Sequence, residues 1–172
     1  MNLIENSHII KKPPPVVTGA SKGIGLVIAS ALITEGYEVI GTTRSLDLLS
    51  NTALSTGVRF LPFNLIEDDS ITNFLQMIGD VDVLINNAGG SHNGPIEEIE
   101  MVHIRRYFDQ NFFGLVRLIQ GVLPGMREKH HGMIINISSM AAVSPVPFSS
   151  FYAASKAAVT LMSFGLRTEV QP

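Results

Sequence analysis

Val16-Val17-Thr18-Gly19-Ala20-Ser21-Lys22-Gly23-Ile24-Gly25 decides how this chain folds. Two β-branched residues open the stretch, three glycines follow at the spacing Gly-x-x-x-Gly-x-Gly, and apolar residues then recur at helical intervals over 24–34, up to Gly36. This pattern predicts a short buried strand that turns sharply into a helix. Glycine lets the main chain turn tightly and lets an anion come close to it. A helix N-terminus adds N–H groups that have no partner inside the helix. The plain alternative is a strand–helix turn that happens to hold three glycines. The spacing is not Gly-x-Gly-x-x-Gly, nor that of a P-loop, which needs Gly-Lys followed by Ser or Thr.

The flanks extend the same logic. Residues 1–12 read as a loose polar tail, and Pro13-Pro14-Pro15 should delay strand pairing until about Val16, because proline has no N–H to give. Strands are expected at 37–42, 58–63, 81–86 and 133–138. Helices are expected at 46–55 (weak), 70–78, 99–129 and 151–169. Pro124 should kink or segment the third of these, and the fourth should bury a stripe of Ala154, Ala158, Leu161 and Met162. A Pro- and Ser-rich loop covers 140–150. Strand and helix alternate five times, which predicts one α/β domain over 13–172, a doubly wound parallel sheet (Rossmann fold) with strand order 3-2-1-4-5-6.

Composition narrows the function. Apolar residues make up 45% of the 172, charged residues 16%, and the net charge is −3. A globular protein with no field for nucleic acid is expected. The chain has no cysteine, which excludes disulfides and thiolate metal sites, and its five histidines lack a ligand spacing, so no metal is predicted. No apolar run reaches membrane-spanning length, and the N-terminus lacks a signal pattern, so a cytoplasmic protein is the expectation.

Two features carry chemistry. The place where a dinucleotide-binding fold usually holds an acidic residue for the ribose 2′-OH reads Thr42-Thr43-Arg44-Ser45 here. A guanidinium there, with Lys22 in the glycine turn, suits a 2′-phosphate, which a carboxylate would repel. The second feature is Tyr152-Ala153-Ala154-Ser155-Lys156. Tyr and Lys at i and i+4 share a helix face. A phenol with an ordinary pKa of about 10 becomes a usable proton carrier when a cation sits beside it. Moving a proton on or off an alcohol oxygen as hydride leaves or arrives needs such a group.

Thr18-Gly19-x-x-x-Gly23-Ile24-Gly25, Asn86-Asn87-Ala88-Gly89, Asn111, Ser139 and Tyr152-x-x-x-Lys156 occur in one order over 16–171. Together they resemble the classical short-chain dehydrogenase/reductase family. The resemblance implies an NADP(H)-dependent oxidoreductase that interconverts a secondary alcohol and a ketone. Gly19, Ser21, Lys22, Gly23, Ile24, Gly25 and Arg44 would bind the cofactor's phosphates. Asn64 and Leu65 would lie by the adenine, although the family often has an aspartate at position 64. Asn87, Ala88 and Gly89 would lie under the ribose. Tyr152 would be the acid/base, Ser139 would orient the substrate oxygen, Lys156 would hold the ribose and tune Tyr152, and Asn111 would support a water relay. The apolar loop 140–148 hints at a lipophilic substrate, and steroid-like and acyl-carrier-like substrates fit equally.

The family ordinarily continues with two more strands, a Pro-Gly turn and a lid. The sequence is therefore expected to be C-terminally truncated, with poor solubility and little turnover on its own, and a homodimer or homotetramer when full length. The alternative is a truncated cofactor-binding or assembly subunit without turnover.

Overall fold

The computed structural model describes residues 13–91 and 93–171. The polar-tail reading of 1–12 falls outside them. Five parallel strands form one sheet: β1 (Val16–Val17), β2 (Ile40–Thr43), β3 (Arg59–Pro62), β4 (Val83–Asn86) and β5 (Met133–Asn136), in the order β3-β2-β1-β4-β5. The helices are α1 (Gly23–Thr34), α2 (Asn51–Leu54), α3 (Asp68–Ile78), α4 (Met101–Phe108), α5 (Gly114–Glu128) and α6 (Ser150–Glu169). The expected doubly wound fold is present, with the order of its first five strands.

β1 is central, and its two residues face opposite ways. Val16 joins a core with Phe63, Phe74, Leu84, Leu118 and Val159, under α3, α5 and α6. Val17 joins Ala20, Ala29, Val39, Val58 and Ile85, under α1. Alternation on a strand buried on both faces explains why both positions are β-branched. Pairing begins at Val16 as expected, yet the proline run still contributes an acceptor, because the Pro15 carbonyl takes a hydrogen bond from Ile40 N–H at 2.9 Å.

Several expected boundaries are corrected. β2 starts at Ile40, not at 37, because Tyr37 closes α1. Gly36 takes φ +86° and donates to the Ile33 carbonyl, and Tyr37 N–H donates to the Leu32 carbonyl, so three residues are spent ending the helix. β4 starts at Val83 instead of 81. The weak helix over 46–55 is a 3-10 turn, Leu46–Leu48, and a single turn, α2, whose Ala53 N–H is capped by the Ser50 hydroxyl. Loop 140–150 opens with a 3-10 turn, Met140–Ala142.

Pro124 does not divide the long helical stretch. It sits inside α5, where the carbonyl that loses its partner belongs to Gln120, on the exposed side and open to water. The irregularity lies earlier, in a π turn at Asp109–Phe113 between α4 and α5. The buried face of α6 is also not the expected stripe. Ala153, Ser155, Lys156 and Val159 are buried, while Ala154 and Leu161 are exposed and Met162 packs only at the core's margin. The inward face is turned from the expected one by roughly 150°, at about 100° per residue on a helix. Counting apolar residues missed it because two of its four members are polar.

Candidate functional site

The glycine turn is locked to the end of β4. Thr18 Oγ accepts the N–H groups of Asn87 and Ala88, both at 3.0 Å. Asn87 Nδ2 donates to the carbonyls of Thr18 (3.0 Å) and Gly19 (3.2 Å). On the other side Gly19 N–H donates to Thr42 Oγ at 3.0 Å. Two glycines are required by contact. A methyl at Gly19 would come 2.9 Å from the Ala88 Cα, and one at Gly25 would come 2.4 Å from the Gly19 carbonyl oxygen and 2.5 Å from Asn87 Nδ2. The third differs: Gly23 has φ +59°, and a methyl there would meet nothing within 4 Å. Its backbone faces open space at the head of α1, whose first N–H groups receive no side-chain cap from Lys22.

This arrangement fits a dinucleotide pyrophosphate: a rigid, glycine-lined concavity ahead of uncapped helix N–H groups. Ser21 is half-buried in the turn, and Lys22 and Ile24 are exposed on its open side. Arg44 follows β2 directly and is exposed. Asn64 is committed locally. Its Nδ2 donates to Glu67 Oε1 at 2.6 Å, and its N–H donates to Ser70 Oγ at 2.8 Å, which starts α3. Leu65 points its side chain into the core, so only its main chain is left for a ligand.

The four expected catalytic residues come from separate elements. Asn111 lies in the π turn and is 1% exposed. A π turn inserts one residue into a helical turn, and such insertions cluster at functional sites. Asn111 Nδ2 donates to the Gly90 carbonyl (2.9 Å) and to Ser155 Oγ (3.0 Å), and its Oδ1 accepts from Gly90 N–H (2.8 Å). Both amide hydrogens are therefore used, and a relay water would have to donate to Oδ1.

Lys156 is 6% exposed and donates from Nζ to the Ile137 carbonyl at 2.9 Å. Burial holds its pKa below the ordinary lysine range. Gly89 sits between the two: a methyl there would lie 3.1 Å from Asn111 Oδ1 and 3.4 Å from Lys156 Nζ.

The two serines after β5 have different tasks. Ser138 is bound to α6, with its Oγ 2.7 Å from Thr160 Oγ and 3.1 Å from the Lys156 carbonyl. Ser139 Oγ accepts the N–H of Ala141 at 3.1 Å, which leaves its hydroxyl hydrogen for another acceptor. Tyr152, in the first turn of α6, is half-buried. α6 packs against the 3-10 turn that follows Ser139.

The sequence motifs do not single out Thr18, Ser155, Asn136 or Thr160 as site residues, although Thr18 and Ser155 stand inside the glycine-turn and Tyr-x-x-x-Lys motifs. The signal for Ser155 was the buried Asn111, whose amide required partners. A cavity of about 470 Å³ is lined by Leu65, Asp68, Asp109, Phe113 and Arg117, and of the expected site residues only Leu65 borders it.

Comparison with known proteins follows this geometry. The family model described as short chain dehydrogenase matches residues 15–172. Human retinol dehydrogenase 8 is 38% identical over 154 residues, covering 84% of this chain and 50% of that protein. A Haemophilus influenzae protein named "Probable NADP-dependent dehydrogenase" is 36% identical over 168 residues, covering 94% and 67%. L-sorbose reductase from Gluconobacter frateurii, solved with NADPH and L-sorbose, superposes with a TM-score of 0.85 at 33% identity, covering 94% of this chain and 65% of that one. The chain spans about half the length of the retinol dehydrogenase it matches.

Proposed function

The chain belongs to the short chain dehydrogenase family, and on that premise we propose that it is the cofactor-binding and catalytic part of an NADP(H)-dependent oxidoreductase interconverting a secondary alcohol and a ketone. The observation that carries the proposal is the meeting of Lys156, Asn111 and Gly89 at the ends of β4 and β5, with Ser139, which follows β5, keeping its hydroxyl hydrogen uncommitted. When bound, the nicotinamide supplies or accepts the hydride.

The chain's own residues do the rest. The turn 19–25 and the head of α1 hold the pyrophosphate. Arg44 and Lys22, both exposed on the open side, select the 2′-phosphate. Asn64, Leu65, Asn87, Ala88 and Gly89 bound the adenosine and ribose side. Ser139 donates its hydroxyl hydrogen to the substrate oxygen. Tyr152 gives its phenolic proton to that oxygen in reduction and takes it back in oxidation. Lys156 holds a ribose hydroxyl and stands one helical turn after Tyr152 on α6. Asn111 fixes Gly90 against α6 through Ser155. The relatives' names, a retinol dehydrogenase and a sorbose reductase, both fit an alcohol–carbonyl pair.

The test is NADPH oxidation by the full-length protein with a panel of ketones. Tyr152→Phe should lower kcat by at least ~10²-fold while leaving NADPH affinity unchanged. Near-normal turnover in that variant would identify another acid. NADPH binding with no turnover of any carbonyl would favour a non-catalytic subunit.

A further inference from the structure

Between Ser139 and Tyr152 the chain runs Met140-Ala141-Ala142-Val143-Ser144-Pro145-Val146-Pro147-Phe148-Ser149-Ser150-Phe151. It contains no charged side chain, and none occurs anywhere from Gly132 to Ser155. Met140, Val143, Val146 and Phe148 are all exposed. Four large apolar side chains thus lie exposed on one short loop, and this loop begins at the substrate-orienting serine and ends at the proton-transferring tyrosine.

Phe148 stands out among them. Its backbone is left-handed, φ +65°, a region that a bulky L-residue rarely enters. The conformation is locked from both sides. The Phe148 carbonyl accepts the N–H of Gly94 at 2.8 Å, which ties the loop after β4 to the loop after β5. Ser149, buried behind it, donates from Oγ to the Val146 carbonyl at 2.9 Å. The ring itself is 61% exposed. Neighbouring structure thus enforces an unfavourable backbone while no core contact rewards the ring, and such local strain is characteristic of ligand-contacting positions. The residue lies four positions before Tyr152, one before the cap of α6.

We propose that Phe148 is a specificity-determining residue that selects ketones and alcohols with an uncharged, apolar body, which it packs at the mouth of the cleft together with Met140, Val143 and Val146. The proposal rests on the oxidoreductase reading above. An apolar body gains from burial against these side chains. An anionic one finds no cation on this loop and loses its own hydration.

The experiment uses the full-length protein, NADPH, methyl ketones from 2-butanone to 2-decanone, and keto acids of matching length. In the wild type, kcat/KM should rise about 3–4-fold per added methylene, the size expected for burying each one, and the keto acids should be at least about tenfold poorer. Phe148→Ala and Phe148→Gly should cut the chain-length gain to less than about twofold per methylene, through KM. NADPH affinity should stay within about twofold. Phe148→Gly removes the ring from a backbone conformation that glycine favours, so a folding defect cannot imitate the result. An unchanged chain-length slope in both variants, or keto acids equal to the neutral ketones, overturns the proposal. Absence of turnover for every ketone overturns the oxidoreductase reading as well. That outcome is distinguishable, because loss of the Phe148 role alone leaves turnover intact.

Discussion

Gly25→Ala and Gly23→Ala should separate two uses of glycine in one turn. At Gly25 the added methyl would lie 2.4 Å from the Gly19 carbonyl oxygen and 2.5 Å from Asn87 Nδ2, inside the contacts that bind the turn to β4. Relief requires the turn to lift, which breaks the Asn87 bonds to the Thr18 and Gly19 carbonyls. Overpacking of this kind costs about 1–3 kcal/mol, and two lost hydrogen bonds add about 1 kcal/mol each. The total, roughly 3–5 kcal/mol, corresponds to a fall in Tm on the order of 10 °C for a domain of this size. At Gly23 the methyl meets nothing, and the cost is only that of a positive φ, roughly 1–2 kcal/mol. The methyl would, however, stand where the nucleotide approaches. Thermal unfolding and NADPH fluorescence titration on the same preparations decide the matter. Gly25→Ala should melt far below wild type, whereas Gly23→Ala should melt within a few degrees of it yet bind NADPH much more weakly. Equal melting temperatures for the two variants, or undiminished NADPH binding in Gly23→Ala, would refute the division of labour.

Arg44→Ala should weaken NADPH binding by about 1.5–3 kcal/mol, as for a charged hydrogen bond, and leave NADH binding unchanged; equal losses for both cofactors would remove Arg44 from the 2′-phosphate. Burial lowers the folded-state pKa of Lys156, so its destabilising effect is full below that value and disappears as pH rises past the unfolded value of roughly 10.4. The Tm difference between Lys156→Met and wild type should therefore shift in favour of wild type as pH is raised through that window, and a pH-independent difference would contradict the desolvated site. β5 is an outer strand, with Met133 56% and Ile135 39% exposed. These 172 residues expressed alone should self-associate on size-exclusion chromatography, and Ile135→Lys should shift them toward monomer.

The fold was legible because its signals are local. Glycine spacing at 19–25, β-branched pairs and helical periodicity each depend on a few neighbouring residues, and strand order then follows from the doubly wound pattern to which that glycine turn belongs. Boundaries were less legible where main-chain bonding decides them. Nothing in the composition of 37–39 announces that Tyr37 N–H is taken by the Leu32 carbonyl. The π turn was invisible for the same reason, since Asp109–Phe113 has unremarkable helix composition and its irregularity is one inserted residue. Individual site residues were legible as types, while their partners were not. Ser138 and Ser139 are identical in sequence, and only the contacts of Ser138 with Thr160 and Lys156 assign the uncommitted hydroxyl to Ser139.

Those partners also explain how Tyr152 and Lys156 keep their register on a sheet. The hydrophobic effect that holds a helix on a sheet is non-directional, and directional bonds add a register to it. Here α6 is fastened by directional bonds, and their polarity is fixed by one carbonyl. Ser163 Oγ donates to the Val159 carbonyl (2.7 Å), so it must accept from Asn136 Nδ2 (2.9 Å). Asn136 Oδ1 must then accept from Asn86 Nδ2 (2.9 Å), which joins the facing positions of β4 and β5. No amide in this chain can flip without breaking the next bond. The chain ends on Asn86 Oδ1, a buried oxygen with no partner among the described residues. An unmet buried acceptor costs about 1–3 kcal/mol, a loss that an apolar pair at 86 and 136 would avoid. Such a pair would also remove the Asn136–Ser163 tie, leaving the bonds of Ser138, Ser155 and Lys156 to set the angle at which Tyr152 and Lys156 face the ends of β4 and β5.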